Sequence, residues 1–524
     1  MMSTSPSGKR GRTRWPIAVA AGTALLLSGC GVADSESPGS SADTVRIVLP
    51  IEPTTLEACD STLSSTGVVI RSNVTEPLIE RNPTTGELDP LLATSWEATG
   101  ETDWTFTLRD DVKFHDGTSF TAEAAAFAID RAVNLDLGCD VEGQMFGDPN
   151  LTLTVVDVTT LVVTTESPDP VLPLRLSFIE IGAPTDAGAK VREPVGTGPY
   201  SIKEWKTGIN IVLALNNDYW GETPAYKSAE YQWRSEGTVR AAMVSGGEAD
   251  LALSLSADDG AGDLGLSYPN NETVALRFSG DIAPLNDIRV RQAINFAIDR
   301  DGITGSLYEG ASEPADQLVP PGVVGYNPSI KPWEYDLDRA KQLIAAARAD
   351  GVPVDDKITI VARSDQFPKI AQMTEVLQEQ LGQAGLNIEV KVAETSVGLQ
   401  YQVRPFILNE GAIAMLIQHG NQAGDASFSV ESYMTTGAAM SMFGTSTFDT
   451  LLADAAATTG EARQAAFADA LAYEKEELVQ FAYIARMSGV IGKSPSVDFE
   501  PNSLSGDELR LAEITRAGAT GSAP

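Results

Sequence analysis

The sequence predicts an α/β fold with α+β insertions, and three observations carry that expectation. The first is a strand–helix–strand order. Lys357 to Val361 reads as a strand, Ile370 to Leu381 as a helix, and Leu386, Ile388, Val390 and Val392 as a strand with one buried face. That order suggests a parallel βαβ unit. The second is a set of antiparallel pairs. Leu151 to Thr165 divides into two strands around Asp157, and Ile209, Ile211, Leu213 and Leu215 alternate cleanly within a pair from Gly198 to Leu215. The third is size: 524 residues with 43% hydrophobic content are enough for two or more domains and a large core.

The remaining elements follow in order. Val45 to Pro50 is a strand entering the fold. Trp104 to Leu108 alternates apolar and polar, the sign of a half-buried strand. Asp116-Gly117 supplies the positive φ of a tight reversal within Phe114 to Thr118. Thr121 caps an Ala-rich helix running to about Val133. Arg240 to Ala249 is helical and ends at Gly246-Gly247. Val290, Ala293, Ile294, Ala297 and Ile298 form one apolar helical stripe. Asp336 caps a helix with the inner face Ala340, Leu343, Ile344 and Ala347, and Gly351 sits at its C′ position. Phe448 to Ala456 and Glu461 to Val479 read as further helices, and no internal repeat is present.

The N-terminus carries Lys9, Arg10, Arg12 and Arg14, then an apolar stretch from Ile17 to Leu27, then Ser28-Gly29-Cys30. A basic head, a short apolar core and small residues before a cut site make a secretory signal peptide over residues 1–29. The core of about eleven residues is shorter than the roughly 20 that a transmembrane helix needs. Leu27-Ser28-Gly29-Cys30 resembles the bacterial lipobox. That resemblance implies acylation of Cys30 and a mature chain moored to the extracytoplasmic face of the bacterial cell membrane. Residues 30–44 are small, polar and acidic, which suits a flexible tether. Residues 517–524 read as a disordered tail.

The net charge is −35, and about −39 once the four basic residues of the leader are removed. Such a surface repels nucleic acid and anionic headgroups, so neither is expected as a partner. Membrane contact is expected through the lipid anchor only. Cys59 and Cys139 remain, in a compartment that permits a disulfide between them, with two buried free thiols as the alternative. With no histidine nearby they make a poor zinc site.

The motifs Asn73–Leu78 (NVTEPL), Pro90–Glu97 (PLLATSWE), Trp104–Arg109 (WTFTLR), Val112–Thr118 (VKFHDGT), Thr121–Glu123 (TAE), Gly196–Tyr200 (GTGPY), Met243–Asp250 (MVSGGEAD) and Asp287–Arg300 (DIRVRQAINFAIDR) occur in this order. Together they resemble the signature of the family 5 extracellular solute-binding proteins, the peptide- and nickel-type receptors of ABC importers. The likeness spans about Val45 to Arg300, with weaker agreement to about Tyr483. It implies a two-lobed periplasmic-binding-protein (Venus-flytrap) fold, type II-like, with an extra subdomain inserted in lobe I. Lobe I is expected at 45–279 with the insertion at about 67–190, lobe II at 280–480, and a return to lobe I at 481–516. The crossings near Ser279 and Phe481 would be the hinge. Most motif residues read as structural. Trp96, Trp104 and Phe106 suit a core. Gly196, Gly198 and Pro199 shape a turn, and His115 packs in its own turn. Asp287, Arg289 and Arg291 lock a helix by charge-assisted hydrogen bonds.

The resemblance also implies ligand contacts. Ile51-Glu52-Pro53-Thr54-Thr55-Leu56 lies where the family has an acidic residue and a Leu-Asp-Pro, here replaced by Leu56-Glu57-Ala58. Glu52 matches a cleft-lining acid, and Thr54 lies in the same segment. Arg404 aligns with a cleft arginine, and Tyr483 lies in an aromatic strand skirting the cleft. Ile417 to Phe428 corresponds to the specificity segment. There many peptide receptors carry a tryptophan and, three residues on, an aspartate for the peptide's ammonium. Here Gln418 and Asn421 take those places, and an amide cannot supply that ion pair. Asp425 is the candidate substitute. His419 falls in the same segment, but one histidine without carboxylate or thiolate company is poor metal evidence.

Enzyme readings find little. The chain has no G-x-S-x-G elbow and no H-E-x-x-H, and its histidines number 2. Gly492-Lys493-Ser494 ends like a Walker A loop, but Met487 stands where the first glycine would be. The expectation is a monomeric receptor with no cofactor, no metal and no catalysis. It would capture an oligopeptide and pass it to ABC permease subunits served by a separate ATPase. The alternatives are a metal chelate, an opine-like compound or an oligosaccharide as cargo, or a sensory or adhesive lipoprotein without transport.

Overall fold

The computed structural model describes residues 42–518, apart from 83, 147–149, 185–188, 365, 408–410, 502–503 and 505–507. The leader, Cys30 and nearly all of the tether lie outside these residues, as do residues 519–524. Asp43 is already tied by Lys227 and Arg516, each at 2.9 Å. The first strand, Thr44–Leu49, follows directly.

Among the described residues an 11-stranded mixed sheet runs through the molecule. Its order is Asn387–Ala393, Lys357–Arg363, Ala412–Gly420, Gly265–Phe278, Phe481–Lys493, Leu251–Leu255, Thr44–Leu49, Ser228–Trp233, Asn210–Leu215 and Tyr200–Lys206, with Glu313–Pro314 paired to Phe481–Lys493. Lys357–Arg363 and Asn387–Ala393 are parallel, and Ile370–Gln383 is the helix between them in the chain. One apolar core gathers Ile358, Ile360, Met373 and Leu377 with Val290 and Ile294 at one end of the sheet. Another gathers Ile47, Leu49, Tyr200, Ile211 and Tyr231 at the other end.

Two long strands belong to both ends. Gly265–Phe278 and Phe481–Lys493 are antiparallel, and their register shifts between Pro269 and Thr273. Before the shift, Gly265 to Pro269 lie opposite Gly492 to Ser488, beside Leu251–Leu255. After it, Glu272 to Phe278 pair with Ala412–Gly420. The chain therefore changes ends in mid-strand. Ser279 and Phe481, expected as the crossings, lie at the far ends of these strands, with Phe481 in an apolar core beside Phe448 and Tyr483. Thr273 to Phe278 and Phe481 to Ala485 are buried throughout, and their pairing continues into that half past a second register shift between Val274 and Ala275.

A separate antiparallel sheet of four strands lies within the expected insertion: Ala93–Ala98, Asp103–Leu108, Thr160–Thr164 and Thr152–Asp157, in that spatial order. Helix Ala122–Val133 packs on it, started by Thr121, whose hydroxyl accepts from the Ala124 N–H at 3.3 Å. Phe106 is fully buried there, while Trp96 and Trp104 are half-buried against the same core. Cys59 and Cys139 are disulfide-bonded, with Cα atoms 5.3 Å apart.

The motifs interlock. A Cβ on Gly196 would meet the Val74 carbonyl oxygen at 1.9 Å, so only glycine allows that approach. Buried Glu76 accepts from Thr197 at 2.7 Å, Tyr219 at 2.8 Å and Trp220 at 3.1 Å. His115 Nε2 lies 2.9 Å from the Gly198 carbonyl oxygen. Asp287 caps helix Ile288–Ala297 and pairs with Arg289 at 2.7 Å. Arg291 makes its charge-assisted hydrogen bonds to the carbonyls of Leu285, Leu478 and Val479. It thereby pins the chain entering the second long strand. At the C-terminal end, Asn73 holds the return by donating to the Leu509 carbonyl at 2.7 Å.

Candidate functional site

Parallel strands end in loops, and the loops at their C-terminal ends form crevices. Here Leu49 to Ile51 and Leu253 to Ala257 end two neighbouring parallel strands, and they face a cavity of about 540 Å³. Helix Ser64–Ile70 adds Ser64, Ser65 and Val68. From the other end of the sheet come Tyr308, the loop Gln366 to Lys369, and Gln418. The two long strands make the floor, with Tyr268, Asn270 and Glu272 from one and Met487 to Ile491 from the other. Both halves of the molecule thus line one space, at the place where the chain passes between them. Its volume falls in the usual range of small-ligand sites, roughly 300–1,000 Å³.

The walls are mixed. Tyr268, Tyr308, Phe367 and Phe499 supply aromatic surface. Among the described residues, the ionisable side chains other than tyrosine that line it are Glu272, Lys369 and Glu508. Lys369 pairs with Asp258 across the cavity and donates to the Leu307 carbonyl at 2.7 Å. Burial pushes the Glu508 carboxyl up, but Arg510, Arg71 and the Ser72 hydroxyl outweigh it and hold the group down, at about 2. Glu508 is therefore a fixed anion, with Arg510 at 3.0 Å and Ser72 at 2.6 Å. Glu272 accepts from the amides of Asn270 and Gln418.

The expected contact residues lie off this lining. Glu52 accepts from Trp205 at 3.1 Å and from the Gly208 N–H at 3.0 Å, bracing the loop beside Ile51. Thr54 is exposed beyond it. Arg404 donates to the carbonyls of Ala438 at 3.0 Å and Ser441 at 2.7 Å. His419 Nε2 is 2.7 Å from the Ser429 hydroxyl, its ring lies 4.6 Å from that of Tyr433, and burial pushes the imidazole down to about 4. Asn421 accepts from Ser429 at 2.5 Å and donates to the Leu318 carbonyl. Asp425 caps helix Ala426–Tyr433 and meets Arg463 at 2.7 and 2.8 Å. Tyr483 is buried and donates to Glu474 at 2.7 Å.

Strand alternation explains where His419 lies. Gln418 and His419 are neighbours on Ala412–Gly420, so their side chains take opposite faces, and it is Gln418 that faces the cavity. Asn421 and Asp425 follow in the turn behind that strand, where capping and ion pairing engage them. The lining residues that sequence reasoning missed are Tyr268, Asn270, Glu272, Gln366 and Lys369. They sit in no motif, whereas Gln418 and Ile51 fall in segments the sequence singled out.

The family model described as bacterial extracellular solute-binding proteins, family 5 Middle, matches residues 87–441. The nickel-binding periplasmic protein of Escherichia coli K12 is 31% identical over 366 residues, 62% of this chain and 67% of that protein. The dipeptide-binding protein of the same organism is 27% identical over 352 residues, 60% of this chain and 65% of that protein. Among solved structures, the ABC transporter-associated periplasmic binding protein DppA from Helicobacter pylori, in complex with the peptide STSA, superposes with a TM-score of 0.77. That match covers 90% of this chain and 98% of the other at 21% identity, a likeness of fold. The fold is the two-lobed α/β arrangement these proteins share.

Proposed function

Because the chain belongs to the bacterial extracellular solute-binding proteins, family 5, we propose that it is the substrate-binding receptor of an ABC importer and that its cargo is an oligopeptide. The observation that carries this reading is the cavity itself, lined from both lobes at the strands that join them. A solute there contacts both lobes, so its binding favours the closed arrangement, and a hinge motion follows from that differential contact. The reading puts the hinge at the register shift between Pro269 and Thr273 and at the facing residues Arg486 to Ser488. Lobe II then lies between those points, and the 93–164 sheet belongs to the insertion in lobe I.

Main-chain hydrogen bonds to an extended peptide, with water filling the side-chain pockets, would give affinity without narrow sequence selectivity. The closed form is what a permease would recognise, and ATP hydrolysis would belong to a separate subunit. Cys30 would carry the lipid that keeps the receptor on the outer face of the cell membrane, working as a monomer without catalysis.

A metal chelate is the second cargo class, since the E. coli relative is a nickel-binding protein. The placement of imidazole favours peptide. The chain's 2 histidines are His115 and His419, and neither lines the cavity. Thermal-shift screening against peptide pools, nickel–histidine and sugars tests the assignment. Peptide pools are expected to raise the melting temperature. A shift with one non-peptide class alone would replace the peptide cargo.

A further inference from the structure

We infer that Tyr268 and the apolar residues around it form a side-chain pocket for one large apolar residue of the cargo, and that Gly489 sets the depth of that pocket. The inference rests on the receptor reading and names the class of peptide it takes. Among the described residues, Tyr268, Tyr308, Phe367 and Phe499 are the aromatic residues lining the cavity, and they are not equivalent. Tyr308, Phe367 and Phe499 are buried, whereas Tyr268 is half-buried and keeps accessible surface. Tyr268 packs against the core that gathers Leu49, Val68, Ile491, Phe499 and Leu509, and these residues line the cavity too. One part of the cavity is therefore walled by apolar side chains, with a tyrosine on its floor. The acid next to Leu509 in the chain, Glu508, is already held by Arg510 at 3.0 Å and Ser72 at 2.6 Å.

The strand opposite decides how Tyr268 lies. Tyr268 and Gly489 are cross-strand partners on the two long strands. A Cβ on Gly489 would stand 2.5 Å from Tyr268 Cζ, well inside contact distance. The tyrosine therefore lies across the glycine backbone, and any side chain at 489 would displace its ring. Gly489 and Tyr268 both line the cavity, so the ring's other side is turned to the space that the two strands floor. An apolar or aromatic side chain gains there by burial and by ring packing. An ammonium or carboxylate entering the same pocket would lose its water while Glu508 is already engaged. Tyr268 immediately precedes Pro269, where the register shifts. The apolar residue of a peptide would thus be read beside the hinge, from the lobe I side.

The test uses the full protein with three probes. One is a tripeptide pool whose members each carry one phenylalanine, leucine or methionine among glycine and serine. The second is a tripeptide pool of glycine, serine and alanine only, and the third is indole alone. Peptide affinities are read by calorimetry and indole binding by ligand-observed NMR. Wild type is expected to hold the apolar pool roughly 10-fold or more tighter than the small-residue pool. Tyr268→Ala is expected to shrink that ratio several-fold, and Tyr268→Phe to keep it. Gly489→Ala is expected to weaken the apolar pool several-fold and to leave the small-residue pool nearly unchanged. A ratio near one in wild type, or a ratio unaltered in Tyr268→Ala, overturns the inference and leaves the peptide cargo standing. Indole held by wild type and lost in Tyr268→Ala, with neither pool retained, upholds the pocket and overturns the peptide cargo. Binding of none of the three probes overturns the inference. If a polar solute is then found to compact the protein, the receptor reading stands without it.

Discussion

Arg175, on helix Leu172–Leu176, meets Glu431, on helix Ala426–Tyr433, at 3.1 Å. Beside them Phe178 and Phe428 place their ring centroids 6.3 Å apart, and the Arg175 guanidinium lies over the Phe428 ring at 4.8 Å. Close by, Arg81 donates to the Gln422 carbonyl at 3.0 Å. On the proposed lobe boundaries these contacts join the two lobes away from the cavity lining, and on that reading they favour the closed arrangement without touching cargo.

Glu431→Gln should weaken cargo binding while leaving the cavity intact. The Glu431 side chain is 44% exposed, so the effect is small, about 0.5–1 kcal/mol. Calorimetry should show a few-fold loss of affinity. Stability of the ligand-free protein should hardly change.

His419 gives a pH prediction whose sign can be worked through. Its ordinary value is 6.5, and burial pushes it down to about 4 in the folded protein. Between those values the unfolded chain binds the proton and the folded chain does not. Stability from this group is therefore full above pH 6.5 and falls as pH drops toward 4. The loss is on the order of 3 kcal/mol across that window. Melting curves of His419→Gln should show a flatter dependence there than wild type.

The Cys59–Cys139 bridge spans a sequence separation of 80 residues and ties the Ala58–Asp60 turn to the insertion. Loop-closure entropy gives about 4.5 kcal/mol for such a bridge. Glu57 reinforces the same junction by accepting from Arg131 at 2.6 Å. Calorimetric scans should lose a corresponding part of their stability in reductant. Unchanged scans in a verified reduced sample would show that the ion pair alone holds the junction.

Asp425 and Arg463 form an ion pair with side chains 4% and 5% exposed. Arg463→Met should cost about 3–5 kcal/mol in denaturant titrations, because a buried carboxylate is left alone. Adding Asp425→Asn should recover part of that loss. A double variant as unstable as the single one would mean that Asp425 acts mainly as the helix cap.

Much of the fold was legible in the sequence. Helix Leu337–Ala349 starts where Asp336 caps it, accepting from the Arg339 N–H at 2.8 Å, and stops before Gly351 at φ 86°. Local chemistry decides such ends. The hairpins flanking Asp157 and Ile209 were legible for the same reason, since alternation and turn residues are local. The crossing strands were not. Val274, Ala275, Leu276 and Phe278 are all buried, so no alternation marks which residues face which lobe. The site was harder still. Glu272, Gln366 and Gln418 meet only because two strands and a loop converge, and each is an ordinary polar residue in its own segment. Within Ile417 to Phe428, strand parity decides that Gln418 and not His419 faces the cavity.

Small-angle scattering on the purified protein, before and after removal of co-purified cargo and again after adding back peptides, tests the central claim most directly. The account predicts a larger radius of gyration without cargo and compaction when cargo returns. Superimposable curves in all three states would contradict a receptor that closes on its solute.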